Sequence, residues 1–218
     1  MLILNFAFIM VFLRLFGKEG LIAWTAICVI LANIQVTKNI NIFGLESTLG
    51  NIVYATGFLA TDILCEFYDR KDADRAVKIG LLTIVSMTLL MQLAIMIKPS
   101  ETDLVNDSLV KVFTLIPRIS LGSILAYFVS SRHDIFAYEF WKKRTNGKHL
   151  WIRNNASTFV SQLLDTAVFT LVSFYGVYKT DVLVDIALTT LAVKWFAAVC
   201  DTPMIYLAGR WHRKGLLK

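Results

Sequence analysis

Seven apolar blocks, at about residues 2–16, 21–37, 49–68, 76–97, 109–131, 155–177 and 183–208, fill most of this chain and leave short polar connections between them. A bilayer core about 30 Å thick takes roughly 20 helical residues. Lipid offers no partner to an unpaired backbone N–H or C=O, so blocks of this length are predicted to cross as helices. The first block is the weakest. With no basic region before Leu2 and no small-residue cleavage motif before Gly17, it is predicted as a retained span rather than a signal peptide. Of 218 residues, 56% are hydrophobic and only 17% charged, far from the balance of a soluble domain. The expected fold is all-α: a polytopic membrane helix bundle with a six-helix core plus one additional N-terminal span, one domain over 1–218.

The basic residues orient that bundle. Counting connections alternately, sixteen Lys and Arg fall on one side and four, Lys38, Lys98, Lys111 and Lys179, on the other. Basic loops stay in the cytoplasm, so the expected arrangement is N-terminus outside, C-terminus inside. The net charge of +6 follows from that topology and calls for no nucleic-acid partner. Cys28, Cys65 and Cys200 fall within apolar blocks and read as buried free thiols, with no zinc spacing and no disulfide framework. There is no P-loop and no GxGxxG, so no nucleotide cofactor is expected, and any ATP drive must come from another subunit.

Ionisable residues inside such blocks are costly and mark function or a buried pair. The set is Asp62, Glu66, Arg118, Asp165, Lys194 and Asp201. Asp62 and Glu66 stand at i and i+4 on one helix face, where two like charges can be relieved by holding a proton. In the sixth block Asn155, Thr158, Gln162, Asp165 and Phe169 recur with helical period, a polar stripe that must face the bundle interior or a watery cavity. Asp165 is near mid-span, as are Arg118 and Lys194, and either could pair with it. Asp201 follows Lys194 by two turns on the same face, and Pro203 just beyond it is predicted to kink the last span. Asn33 and Gln35 interrupt the second block and either line the same cavity or bond between helices.

Two further patterns concern packing. Gly122, Ala126 and Ser130 form a small-residue ladder that lets helices approach closely. The segment HDIFAYEFWKKRTNGKHLW mixes aromatics with Lys and Arg, as an interfacial helix or an anchored cytoplasmic loop would.

The blocks FLATDILCEFYDRKDADRAVKIGLL, LAYFVSSRHDIF, KHLWIRNNASTFVSQLLDTAVFTLVSFYG and VKWFAAVCDTPMIYL, in that order, resemble the queuosine-precursor transporter family, also called vitamin-uptake-transporter-like. The resemblance implies uptake of a 7-deazaguanine base through a multi-pass protein of the bacterial cytoplasmic membrane, with no enzymatic activity and no cofactor. The family's polar positions fall here on Asn33, Asp62, Glu66, Asn155, Gln162, Asp165, Lys194 and Asp201, which become the candidate substrate-binding residues. One departure is Asp69 in FYDRK, where the family commonly has a glycine, and it leaves the local turn open. A guanine-like edge suits these residue types, since a carboxylate accepts two adjacent N–H groups while an amide or ammonium donates to the carbonyl oxygen. Phe58, Phe159, Phe169 and Trp195 are candidates to stack on the ring. The partners implied are the small-molecule base and the lipid bilayer, with a homo-oligomer or an energy-coupling ATPase module left open. A stand-alone secondary transporter is the first reading. A substrate-binding subunit of an ATP-driven importer is the alternative, against which stands the absence of any Ala-xxx-Ala docking pair.

Overall fold

The computed structural model describes residues 1–42, 45–114, 116–146, 148–176 and 179–217. Among them are α1 (Leu2–Gln35), β1 (Asn39–Ile42), β2 (Leu45–Thr48), α2 (Gly50–Phe67), α3 (Arg70–Met96), α4 (Asn106–Thr114), α5 (Ile116–Arg144), α6 (Leu150–Phe174) and α7 (Thr180–Arg213). Four of these helices, α1, α3, α6 and most of α7, are long and apolar enough to cross a membrane, and α4 with the Pro117–Arg144 part of α5, meeting at 51°, adds a fifth. This is the helical polytopic bundle expected from the apolar blocks.

The first two blocks form one continuous helical segment folded in half. Gly17 has φ 59° and ψ −136°, a conformation essentially reserved for glycine. Phe8 and Phe12 both meet the Trp24 ring, at 6.2 and 5.6 Å between centroids. In a straight helix residues 8 and 24 would stand roughly 24 Å apart at 1.5 Å per residue. The arms 2–16 and 18–35 therefore lie against each other, and Gly20 permits it, because a Cβ there would strike the Phe12 carbonyl. The additional N-terminal span is this first arm.

Between α1 and α2 the chain forms an antiparallel hairpin, Ile40 opposite Ser47, which the helical expectation did not include. NINI alternates in polarity, the period of a strand rather than a helix. α2 is the central helix, with thirteen of its 18 residues buried. It faces protein instead of lipid, which is why it can carry Asp62 and Glu66. α3 is peripheral, with Ala73, Ala76, Val77, Gly80 and Ile84 as its buried residues. Asp69 caps α3 by accepting from the Lys71 N–H at 2.8 Å, so the residue that replaces the family's glycine starts a helix.

α5 and α6 pack most closely. A side chain at Gly122 would collide with Ser173 Oγ, so the small-residue ladder is a packing face. The segment after residue 131 is neither a separate interfacial helix nor a loop. It continues α5 to Arg144, with Tyr138 fully buried. Its aromatics suit the interface, but Ile135 and Tyr138 find core partners on one face, and propagating an existing helix costs less than nucleating a new one. α7 runs through Pro203 without a break. Cys28, Cys65 and Cys200 are free thiols. At the end that bears the α1 fold and the start of α3, ion pairs tie Lys18 to Asp72 (3.1 Å), Arg75 to Glu19 (3.4 Å) and Arg132 to Asp74 (2.6 Å).

Candidate functional site

Three layers of buried polar groups cross the bundle between α2, α5, α6 and α7. The first is built on Asp165 in α6 and Lys194 in α7, joined at 2.6 Å with both side chains within 4% of complete burial. The other carboxylate oxygen of Asp165 accepts from Tyr54 Oη at 2.5 Å and from Ser130 Oγ at 3.0 Å. Lys194 also donates to Thr166 Oγ1 at 3.3 Å and lies 5.2 Å from the centre of the Tyr54 ring. Of the two cations open as partners for Asp165, Lys194 is the one that reaches it. Arg118 is exposed and donates instead to the carbonyls of Val172 and Tyr175, the orphan acceptors at the end of α6.

Beside this pair is a small open cavity of about 40 Å³ walled by Asn33, Asn51, Tyr54, Ser123, Ala126, Asp165, Phe169 and Lys194. Val36 and Gly50 stand at its rim, so it faces the end of the bundle that carries the β-hairpin. Asn33 donates to the Val29 carbonyl at 2.8 Å, while its own carbonyl oxygen is buried with no protein partner. A second, smaller cavity shares Tyr54 with the first and reaches Thr61 through Phe58 and Tyr127.

The second layer holds Asp62, which accepts from Thr158 Oγ1 at 3.1 Å, and Asp134 of α5, which accepts from Thr61 Oγ1 at 3.4 Å and is faced by the Ser157 and Ser161 hydroxyls, which donate to the Asn154 and Ser157 carbonyls. The two carboxyls are within hydrogen-bonding reach of each other. Asp201 lies on the α7 side of this layer and accepts from Asn154 Nδ2 at 3.0 Å.

In the third layer Glu66 is clasped by Arg153, with Nε at 2.8 Å from one oxygen and a second contact from its other nitrogen. Tyr138 Oη donates to Glu66 at 3.3 Å, and Lys142 stands 3.9 Å away while donating to the Cys65 and Glu66 carbonyls. Asp62 and Glu66 share a helix face but turn to different partners one turn apart, so the close pair of acids is Asp62 with Asp134.

Of the eight candidate residues, Asn33, Asp165 and Lys194 line the larger cavity. Asp62, Glu66 and Asp201 lie in the deeper layers. Gln162 is completely buried and neither of its amide atoms has a protein partner. Asn155 is at the edge of the stripe, bonded to the Trp151 carbonyl and to Thr202 Oγ1, both at 2.9 Å. Phe169 and Phe58 face cavities, whereas Phe159 and Trp195 meet each other at a tilt, 5.4 Å between ring centres, with Trp195 partly exposed. Reading the sequence alone missed Tyr54, Asp134 and Arg153. A signal for Asp134 was present: the ladder Gly122, Ala126, Ser130 continues at every fourth residue through Asp134, Tyr138 and Lys142.

Residues 48–208 match the family model described as "Putative vitamin uptake transporter". A Bacillus subtilis (strain 168) protein named "Probable queuosine precursor transporter" is 38% identical over 207 residues, 94% of this chain and 90% of that protein. No solved structure matches the chain significantly.

Proposed function

The chain belongs to the vitamin uptake transporter family, and from that membership we propose that it imports a queuosine precursor, a 7-deazaguanine base, across the bacterial cytoplasmic membrane. The observation that carries the reading to a site is the Asp165–Lys194 pair at the floor of an open cavity inside a membrane-crossing bundle. The family is one of transporters by description, which favours carriage over catalysis.

The cavity supplies what a guanine-like edge needs. Asn33 offers a buried carbonyl oxygen with no protein partner, and Asp165 offers a carboxylate with capacity beyond its three donors. Lys194 spends two of its three N–H groups on Asp165 and Thr166, and the third suits the carbonyl oxygen of the base. Tyr54 and Phe169 supply flat walls for the ring. Gln162, fully buried without partners, is the polar group just below, which the base or a water accompanying it satisfies as the cavity closes.

With the basic side taken as cytoplasmic, the cavity opens to the exterior and the Glu66–Arg153 layer seals the cytoplasmic end. This is the outward-facing state of an alternating-access carrier. Nothing in the comparisons supports an energy-coupling ATPase module, and the chain acts as a secondary transporter. Cells that depend on an external precursor, expressing this chain, take up labelled 7-deazaguanine bases, and Asp165→Asn or Asn33→Ala lowers that uptake at least tenfold at equal membrane content. Undiminished uptake in both variants removes the cavity as the binding site.

A further inference from the structure

We propose that Asp62 and Asp134 together hold one proton that crosses with the base and leaves through Ser161 and His133. The coupling rests on the transport reading above and adds to it the ion that drives it.

Two carboxyls in contact at membrane depth cannot both be ionised without a cation between them. The groups facing the pair are acidic or neutral: Thr61 and Cys65 on α2, Tyr138 on α5 and Asp201 on α7, while α6 contributes the Thr158, Ser157 and Ser161 hydroxyls. The cations of the next layer, Arg153 and Lys142, are engaged by Glu66. One oxygen of Asp62 and one of Asp134 are buried with no donor in the protein. A proton between the carboxyls satisfies both oxygens. A metal ion is the poorer occupant, since no group of three His, Cys, Asp or Glu side chains arranged to hold one is found among the described residues.

Independent of the acids is a path on either side of them. Outward, the small cavity runs from Tyr54, on the wall of the larger cavity, to Thr61, which bonds Asp134. Inward, the Ser161 hydroxyl faces Asp134 while donating to the Ser157 carbonyl at 2.8 Å, and its Oγ lies 2.9 Å from Nδ1 of His133, a half-buried ring one residue before Asp134 in the chain. As the Ser161 hydroxyl turns from the Ser157 carbonyl, the proton on the pair passes to Ser161 Oγ and the Ser161 hydroxyl proton to His133 Nδ1, while a proton entering from the outer cavity replaces the one lost from the pair and the imidazolium gives its proton to cytoplasmic water. One proton has then crossed with one base, and the carboxyls return to their starting state. His133, otherwise an isolated histidine on a membrane helix, gains a task in this arrangement.

The test uses the intact protein in proteoliposomes with labelled 7-cyano-7-deazaguanine, an uncharged probe, and a pH-sensitive dye inside. Uptake is expected to acidify the lumen and to rise about tenfold when the exterior is made acidic, a response abolished by a proton ionophore. Asp134→Asn is expected to lose the gradient response and Asp134→Glu to keep it. His133→Gln, a change on a half-exposed group that should fold if Asp134→Asn does not, is expected to slow acidification at least fivefold. Uptake without acidification, driven by sodium, or with an unaltered gradient response in Asp134→Asn and His133→Gln overturns the proton site and leaves the transport reading standing. No uptake of this base, the aminomethyl base or queuine by the native protein overturns both.

Discussion

Lys194 reaches Asp165 across the α6–α7 contact at 2.6 Å, and the pair separates an open cavity from a closed, densely hydrogen-bonded half of the bundle. Two opposite charges at this depth offset each other's desolvation only when their geometry is good and their remaining sites are filled. Tyr54, Ser130 and Thr166 fill them here.

Breaking that pair on one side should cost more than removing it. Lys194→Met or Asp165→Leu is expected to destabilise the protein by about 3–5 kcal/mol, since each leaves an uncompensated buried charge. The double variant should recover much of that loss while remaining inactive in uptake. Thermal unfolding in detergent of the three variants checks this, and a double variant less stable than either single one would refute it.

Arg153 and Glu66 are expected to act as the cytoplasmic seal. With Cys28 and Cys200 replaced by serine, Arg153→Gln should expose Cys65, which is buried beside this layer, to a membrane-impermeant maleimide applied to inside-out vesicles. Labelling should rise several-fold over the parent and fall again when Glu66→Gln is added, because the second change removes the unpaired carboxylate that water enters to solvate. Equal labelling in all three proteins counts against a seal at this layer.

Packing between α5 and α6 depends on the absence of a side chain at Gly122. Gly122→Val should destabilise by about 1–3 kcal/mol through overpacking against Ser173. Gly57→Ala, where an added Cβ meets nothing within 4 Å, should be neutral or stabilise by about 0.5–1 kcal/mol through helix propensity. Melting temperatures of the two variants in one detergent give the comparison.

The fold of α1 on itself hangs on Gly17. Gly17→Ala forces a Cβ into a conformation worth about 1–3 kcal/mol of strain. Its arm precedes the family-matched residues 48–208, so uptake per folded molecule is expected to persist while thermal stability falls. Loss of uptake at unchanged stability would assign that arm a part in transport itself.

The sequence by itself determined the solvent of this protein, its helical class and the number of its apolar blocks. A chain that buries its backbone in lipid has few ways to satisfy its hydrogen bonds, and block length alone reads them out. It also singled out Asp62, Asp165, Lys194 and Asp201, because a charge inside an apolar block is visible without knowing its neighbours. It did not decide pairings. Asp165 had two eligible cations, and only the packing of α7 against α6 brings Lys194 to it while Arg118 turns to the end of α6. Asp62 had an acid one turn away on its own helix, yet the tertiary structure gives Glu66 to Arg153 and sets Asp62 against Asp134, 72 residues further along the chain. Helical period orients a side chain toward a neighbour, but which neighbour stands there is set by helix crossing and rotation, and those depend on contacts such as Gly122 on Ser173 that are distant in sequence.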